Sequence, residues 1–295
     1  METRPYRGWD DLRGMQALCT ERLLASPGRA SAHPGDMAWW VGWPPRSEET
    51  LADMFLMWEE DGKVVGFASS DPEEGDFSVF VSPARTDTVR AAAFEDAALT
   101  WASRNGKPVI WTEFEDEAAA IQRWRVRGFR PTEGGLLNLT RDLADVAAGA
   151  PADERVCPVG DDDVEGRASV THAAFGSEKP FDAYVAAYAG FRSSPAYPHG
   201  WDLLLRDEDG RAAACTIAWT DPVSRAATFE PVGTHPDQSR RGFGRALLLE
   251  GLRRFAAAGM TYAIVGVNTD NPGAEALYRS VGFEPDRLLR SYERG

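Results

Sequence analysis

The sequence predicts an α/β protein of the α+β type, a mixed central sheet flanked by helices, built twice in tandem. Three observations predict it. The chain has 295 residues, more than a single core usually holds and about two typical domains. Strand-like runs alternate with helix-like runs in both halves. The second half also repeats the plan of the first at a spacing of about one domain, which indicates duplication and not a solenoid.

The repeat is visible element by element. Glu60-Asp61-Gly62 separates the strand-like Phe55–Trp58 from Val64–Phe67, and Glu208-Asp209-Gly210 separates Leu203–Leu205 from Ala212–Cys215; Asp-Gly between two such runs is a strong hairpin signal. Val109-Ile110 corresponds to Ala263-Ile264. Gln122-Arg-Trp124-Arg-Val-Arg-Gly128-Phe129-Arg-Pro131 corresponds to Ala276-Leu-Tyr278-Arg-Ser-Val-Gly282-Phe283-Glu-Pro285. Between the copies, Asp145–Glu154 is small, polar and proline-containing, so the expected division is residues 1–145, a linker at 146–154, and residues 155–295.

Composition narrows the function. Hydrophobic residues at 43% indicate a folded globular chain, and the net charge is −14. That balance argues against nucleic acid as a partner, because phosphate binding needs basic surface, and is compatible with a cationic acceptor. No apolar run is long enough to span a membrane, and Met1-Glu-Thr-Arg4 lacks a signal-peptide core, so a cytoplasmic protein without membrane partners is expected. Cys19, Cys157 and Cys215 are few and widely spaced, which suggests buried thiols with neither a disulfide frame nor a metal cluster.

The chemistry concentrates in the second half. A strand ending near Thr234-His235-Pro236 leads into Gln238-Ser-Arg-Arg-Gly-Phe-Gly-Arg245 and then a helix closed by Gly259. The first amides of a helix lack intrahelical acceptors and the helix dipole adds positive potential there. Glycines let a pyrophosphate approach the backbone, and Arg240, Arg241 and Arg245 add formal charge. Read alone, such a loop is equally a helix start with solvated arginines. A second segment changes the balance: the run Tyr262–Val267 ends at Asn268 and Asn271, where parallel strands present ligands, and a helix from Ala274 carries Leu277 and Tyr278 before Gly282-Phe283.

This arrangement resembles the GNAT superfamily of acyl-CoA-dependent N-acyltransferases, in a tandem two-domain form. The resemblance rests on His235, Pro236, Arg241, Gly242, Gly244, Asn271, Ala274, Leu277, Tyr278, Gly282 and Phe283; it departs at Ser239, where the family usually has Gln or Arg. It implies two GNAT-like domains and an acetyl-CoA co-substrate held by Val232, Gly233, Thr234, Arg240, Arg241, Gly242, Phe243, Gly244, Arg245, Asn268, Asn271 and Ala274. The first copy is degenerate: Thr86–Ala91 has no glycine, Asp87 would face a phosphate, and Trp124 replaces the tyrosine.

Acyl transfer to an amine requires loss of an ammonium proton, stabilisation of the thioester oxygen and protonation of the leaving thiolate. Tyr278, with a phenol pKa of about 10, matches a thiol leaving group; the alternative is a tyrosine packed in the core. Strand-end amides at Val232–Thr234 would stabilise the oxyanion, on a strand that in the family splays from its neighbour; Pro231 and Gly233 are poor ladder formers and suit a bend or bulge. Glu230 is the candidate base, with a salt-bridge role as the alternative, and alternation puts Thr228, Glu230 and Val232 on one face. His172, His199 and His235 are the other groups able to titrate near neutrality; His235 belongs to the turn and His199 would rim an acceptor pocket. The tryptophans at 39, 40 and 43 either stack on a substrate or join the domains, and joining is the adopted reading. The expectation is direct transfer of acetyl from acetyl-CoA to a primary amine of a small molecule, without a metal. A non-catalytic acyl-CoA-binding protein, or a peptide or protein N-acetyltransferase, are the alternatives. The sequence specifies neither acceptor nor oligomeric state.

Overall fold

The computed structural model describes residues 2–294 apart from 28–30, 72–74, 87, 106–108 and 148–150. The first half runs β1 (Glu2–Pro5), α1 (Trp9–Ala25), α2 (Pro34–Gly42), α3 (Glu48–Met54), β2 (Phe55–Glu60), β3 (Lys63–Ser70), β4 (Asp76–Val81), α4 (Val89–Ala102), β5 (Val109–Phe114), α5 (Ala118–Arg125) and β6 (Arg130–Asp142). The second runs β7 (Val156–Pro158), α6 (Val164–Ala174), α7 (Phe181–Arg192), β8 (Asp202–Arg206), β9 (Ala212–Asp221), β10 (Ala226–Thr234), α8 (Phe243–Ala257), β11 (Tyr262–Asn268), α9 (Pro272–Ser280) and β12 (Glu284–Arg294). Apart from α3 the two successions are the same, so the expected tandem architecture is present.

Local chemistry explains the boundaries. Asp61 and Gly62 both have positive φ, 50° and 75°, as a two-residue turn twisted to match its strands requires. Thr88 caps α4 by accepting from Ala91 N–H, and Asn271 caps α9 by accepting from Ala274 N–H.

The two halves share one 12-stranded sheet in the order β1-β2-β3-β4-β5-β12-β6-β11-β10-β9-β8-β7. The last strand of each half crosses into the other. β6 pairs antiparallel with β11 from Asp142↔Tyr262 to Leu136↔Asn268, β12 pairs antiparallel with β5 from Arg294↔Val109 to Leu289↔Phe114, and β6 and β12 pair with each other at the centre. Two separate sheets were expected. The chain leaves the sheet between Asp142 and Val156, but the sheet itself does not divide there.

The parallel pairings are short. β4 meets β5 only at Asp76↔Ile110 and Phe77↔Trp111, and β10 meets β11 only from Ala226↔Tyr262 to Thr228↔Ile264. Past those points each pair of strands parts, leaving one opening in each half. Helices α8 and α9 cover one face of the sheet in the second half, with Phe229, Leu247, Leu248, Phe255, Tyr278 and Phe283 in one cluster. On the opposite face α1, α2 and α7 share a second cluster.

Helix α2 of the first half lies on β9 and β10 of the second. A side chain at Gly35 would strike Trp219 at 2.4 Å. His33 is fully buried, its Nδ1 accepting from Gly35 N–H and its Nε2 lying 3.3 Å from Ala226 O; burial pushes its pKa down to about 4, so it stays neutral. Trp39 and Trp43 stack on each other and pack edge-on against Phe191, and Trp43 also meets Tyr184. These two tryptophans join the halves, as expected.

Each half completes its sheet with the other's last strand, so neither is expected to fold alone. Residues 1–145 and 155–295 expressed separately should lack cooperative thermal unfolding and should recover it when co-expressed. A cooperative transition in isolated 155–295, followed by circular dichroism, would contradict the exchange.

Candidate active site

The opening between β10 and β11 begins with an irregularity in β10. Phe229 faces Ala218 and Val232 faces Thr216 across the ladder, so Glu230 and Pro231 together oppose Ile217. This is a β-bulge, at the expected prolyl position. It corrects one expectation. Val232 packs with the α8 and α9 cluster, whereas the charge of Asp36, on α2, is felt at Glu230. The extra residue reverses the alternation, and Glu230 and Val232 point to opposite faces. Beyond the bulge His235 N–H donates to Ala213 O. Ladder alternation then turns the Val232 and Thr234 N–H groups away from β9, into the opening, and the Gly233 N–H toward β9.

The chain next makes a short turn. His235 Nδ1 accepts from Asp237 N–H, the structural role expected of it. Gln238 donates to Asp207 and accepts from Arg241, and Arg241 also lies over the Phe243 ring at 4.9 Å. Arg245 donates to Ser280 O at 3.3 Å. Arg240 is exposed. The left-handed turn into α8 falls at Arg240 and Gly242, φ 65° and 84°. The first α8 hydrogen bond runs from Ala246 N–H to Gly242 O, which leaves the amides of Phe243, Gly244 and Arg245 without helical acceptors. No acidic residue stands in that first turn. Gly244 is required for a different reason: a Cβ there would lie 3.0 Å from Thr234 Oγ1 and 3.2 Å from Leu277, so glycine lets α8 close on the end of β10.

Across the opening, Asn268 is exposed at the end of β11, and Asn271 with Ala274 forms the cap of α9. Tyr278 is buried, its ring edge-on to Phe283 at 5.7 Å. Burial, and then the charge of Glu230, hold its phenol well above the ordinary range; the proton stays on and is available for donation. Glu230 itself is half-buried, and its backbone O accepts from Trp219 Nε1 at 2.8 Å. Desolvation and then the charge of Asp36 push its carboxyl up to about 8. Desolvation also raises Asp36, to about 6, against the pull of the His33 N–H it accepts at 2.7 Å. Asp36 was not found from the sequence, where its only signal is a capping pattern with His33.

Other candidates fall elsewhere. His172 lies 2.8 Å from Lys179 O and packs on Phe181 and Tyr184, and exposed His199 packs on Tyr197. Cys19 and Cys215 are buried, but Cys157 is exposed, contrary to expectation. Among the described residues no group of His, Cys, Asp or Glu could hold a metal, and no helix is long and apolar enough to cross a membrane.

The opening in the first half differs. β4 pairs with β3 without a bulge, from Gly66↔Val81 to Ser70↔Phe77, and Arg22 donates to Val81 O at the mouth. Trp124 stands where the second half has Tyr278, buried and edge-on to Phe129 at 5.4 Å. Asp87 lies outside the described residues.

Comparison with known proteins agrees with this geometry. The model of the Acetyltransferase (GNAT) family matches residues 171–283. A mycothiol acetyltransferase of Clavibacter sepedonicus is 30% identical over 223 residues, covering 72% of this chain and 71% of its own. The chain belongs to the GNAT acetyltransferase family. A mycothiol acetyltransferase of Clavibacter michiganensis is 29% identical over 79% of this chain and 78% of its own, and the N-alpha-acetyltransferase RimI of Mycobacterium tuberculosis is 49% identical over 109 residues, 36% of this chain and 66% of its own. In fold, a tandem GNAT protein from the clavulanic acid biosynthesis pathway superposes with a TM-score of 0.65 at 16% identity, covering 99% of this chain and 98% of that one. This GNAT protein is therefore an acyltransferase with two GNAT-like halves.

Glu230 gives the family assignment a stability consequence. Its folded pKa lies above the ordinary carboxyl value, so the native state binds the proton more tightly than the unfolded state does. Stability is therefore lost as pH rises from the ordinary value through about 8. Glu230→Gln removes that dependence: its melting temperature should exceed that of the wild type by an amount that grows from pH 5 to pH 8. A constant gap across that range would contradict the raised carboxyl.

Proposed function

We propose that this protein transfers acetyl directly from acetyl-CoA to a primary amine of a small molecule, in a ternary complex formed in the opening between β10 and β11. The observation that carries the reading is that this opening brings a proton donor and a proton acceptor within electrostatic reach of each other, Tyr278 and Glu230, beside the unsatisfied amides at the start of α8.

In this reading the pyrophosphate rests on the amides of Phe243, Gly244 and Arg245, with Gly242 setting the turn and Arg240, Arg241 and Arg245 supplying charge. The pantetheine arm pairs with the free edge of β10 at Val232–Thr234, and Asn268, Asn271 and Ala274 border its other side. Val232 N–H or Thr234 N–H steadies the thioester oxygen. Glu230 takes a proton from the acceptor ammonium, and a carboxyl with a pKa of about 8 is close enough to an amine to do so. The amine nitrogen bonds to the carbonyl carbon, the carbon–sulfur bond breaks, Tyr278 gives its proton to the departing thiolate, and the phenolate so formed takes up the second proton that the nitrogen sheds. The carboxylate of Asp36 adds attraction for the ammonium.

Both sets of relatives, the mycothiol acetyltransferases and the N-alpha-acetyltransferase, carry names that support transfer of acetyl. A small acceptor is favoured over a protein because α2 of the first half walls the acceptor side, and the RimI match covers only 36% of the chain. The first half is read as silent toward acetyl-CoA, since Arg22 occupies the mouth of its opening.

Calorimetric titration with acetyl-CoA should give one site per chain; two sites would show that the first half also binds. Tyr278→Phe should bind acetyl-CoA with unchanged affinity and lose kcat by about 10²–10⁴-fold. Unchanged turnover would remove Tyr278 from the reaction.

A further inference from the structure

Glu230 is held at the bulge by a side chain of the neighbouring strand. A bulge leaves its extra residue out of the ladder, and Pro231 has no N–H to offer. Trp219 Nε1 pairs the bulged residue instead, donating to Glu230 O at 2.8 Å. Trp219 stands opposite Thr228 on the ladder, two residues before Glu230. Its indole therefore reaches forward along the face of α2. The side chain is buried within the cluster that α1, α2 and α7 share.

The indole is itself clamped by the first half. A Cβ at Gly35 would meet Trp219 Cβ and Cγ at 2.4 Å and Cδ2 at 2.8 Å, so the base of the ring lies against the backbone of α2. Two residues earlier, His33 Nε2 lies 3.3 Å from Ala226 O at the start of β10, and the His33 N–H donates to Asp36 at 2.7 Å. Helix α2 is thus registered on β9 and β10 at two points, Trp219 and Ala226. The ionisable groups coupled to the Glu230 carboxyl come from two elements, Asp36 on α2 and Tyr278 on α9. Where the carboxyl stands relative to them depends on the course of the bulge.

We propose that Trp219 is a positioning residue: its indole N–H, backed by α2 of the first half, fixes the Glu230 backbone so that the carboxyl stays in the desolvated region it shares with Asp36 and does not turn to solvent. This deepens the N-acetyltransferase reading, in which Glu230 is the base, and rests on it for its effect on turnover. It gives the first half a part in the reaction at one remove, since α2 touches Trp219 and Trp219 touches Glu230.

Trp219→Phe tests it, because phenylalanine retains the Cβ, Cγ and Cδ2 that meet Gly35 and lacks the N–H. The first readout needs no acceptor. Glu230→Gln is made in the wild-type and Trp219→Phe backgrounds, and melting temperatures are followed from pH 5 to pH 8. In the wild-type background the gap should widen across that range. In the Trp219→Phe background it should widen by about half as much or less, since a carboxyl free to meet solvent falls back from about 8 toward its ordinary value. Equal widening in both backgrounds would overturn the proposal. The second readout is turnover of the full chain with acetyl-CoA and whichever of butylamine, putrescine, ethanolamine and glycinamide is used best. Trp219→Phe should lower kcat by about 10–100-fold, the size expected when a reacting group moves by about 1 Å. The KM for acetyl-CoA should be unchanged, and the rise of kcat with pH should move to lower pH. A loss of kcat with the rise at its wild-type pH is what packing alone would give, and would also overturn the proposal. Should the phenylalanine variant fail to fold, Trp219→Leu carries the same comparisons. Acetyl-CoA binding with transfer to none of the four amines would overturn the enzyme reading, and the melting comparison would still decide the role of Trp219.

Discussion

The pairing of β10 with β11 ends at Thr228 and Ile264, and the rest of the site depends on that early ending. A parallel ladder continued to Thr234 would have satisfied the amides of Val232 and Thr234 and left no edge for a ligand. The bulge at Glu230-Pro231 turns β10 away, while β6 holds β11 along its whole length from the other side. One strand is free to part because its neighbour is fixed. The exchange of β6 and β12 is thus tied to the opening: the strand that steadies β11 comes from the other half of the chain.

The same bulge sets the electrostatics. By reversing alternation it directs Glu230 toward α2 and Val232 toward α8, so the carboxyl faces Asp36 and the backbone edge faces the start of the helix. Two carboxyls are thereby desolvated in one region, and both are raised. Burying them costs stability at neutral pH; Asp36 offsets part of that cost by capping α2, whereas Glu230 gains no salt bridge among the described residues. Tyr278 is raised by the same surroundings. In the proposed reading, a base with an elevated pKa and an acid that keeps its proton are what proton transfer to and from an amine and a thiolate require; each is raised first by its own burial, and the charge of Glu230 adds to the shift of Tyr278.

Much of this was legible in the sequence wherever the determinant is local. The Asp61-Gly62 turn, the glycine entry to α8 and the prolyl irregularity in β10 each follow from a few adjacent residues. The loss of glycine from the first copy and the replacement of tyrosine by Trp124 were also readable. What was not legible depends on pairing between distant strands. β6 and β12 have equivalent places in the repeat, and nothing in their periodicity says which half each will join. The bulge was foreseeable, but its effect on Val232 was not, because two-residue alternation counts residues and cannot see one that is inserted. Asp36 escaped for a related reason: it looks like a helix cap, and only tertiary packing of Gly35 on Trp219 brings it beside Glu230.

In the proposed reading the first half is a copy released from chemistry. Its own opening survives at Phe77 and Trp111, but without a bulge, and with Arg22 set across the mouth. Its other elements pack on the second half. α1 reaches Ile264 through Leu23, α2 brings Asp36 and the joining tryptophans, and β6 completes the ladder beside β11. α1 and α2 place first-half residues on the face opposite α8, while β6 also sends Leu137 and Leu139 into the cluster beneath α8 and α9. In the proposed reading the labour divides accordingly: the second half supplies the groups for the acyl donor from its own helices, and the first half builds the wall against which an acceptor is held. Variation in the first half can then alter which acceptor is taken while leaving the cradle unchanged.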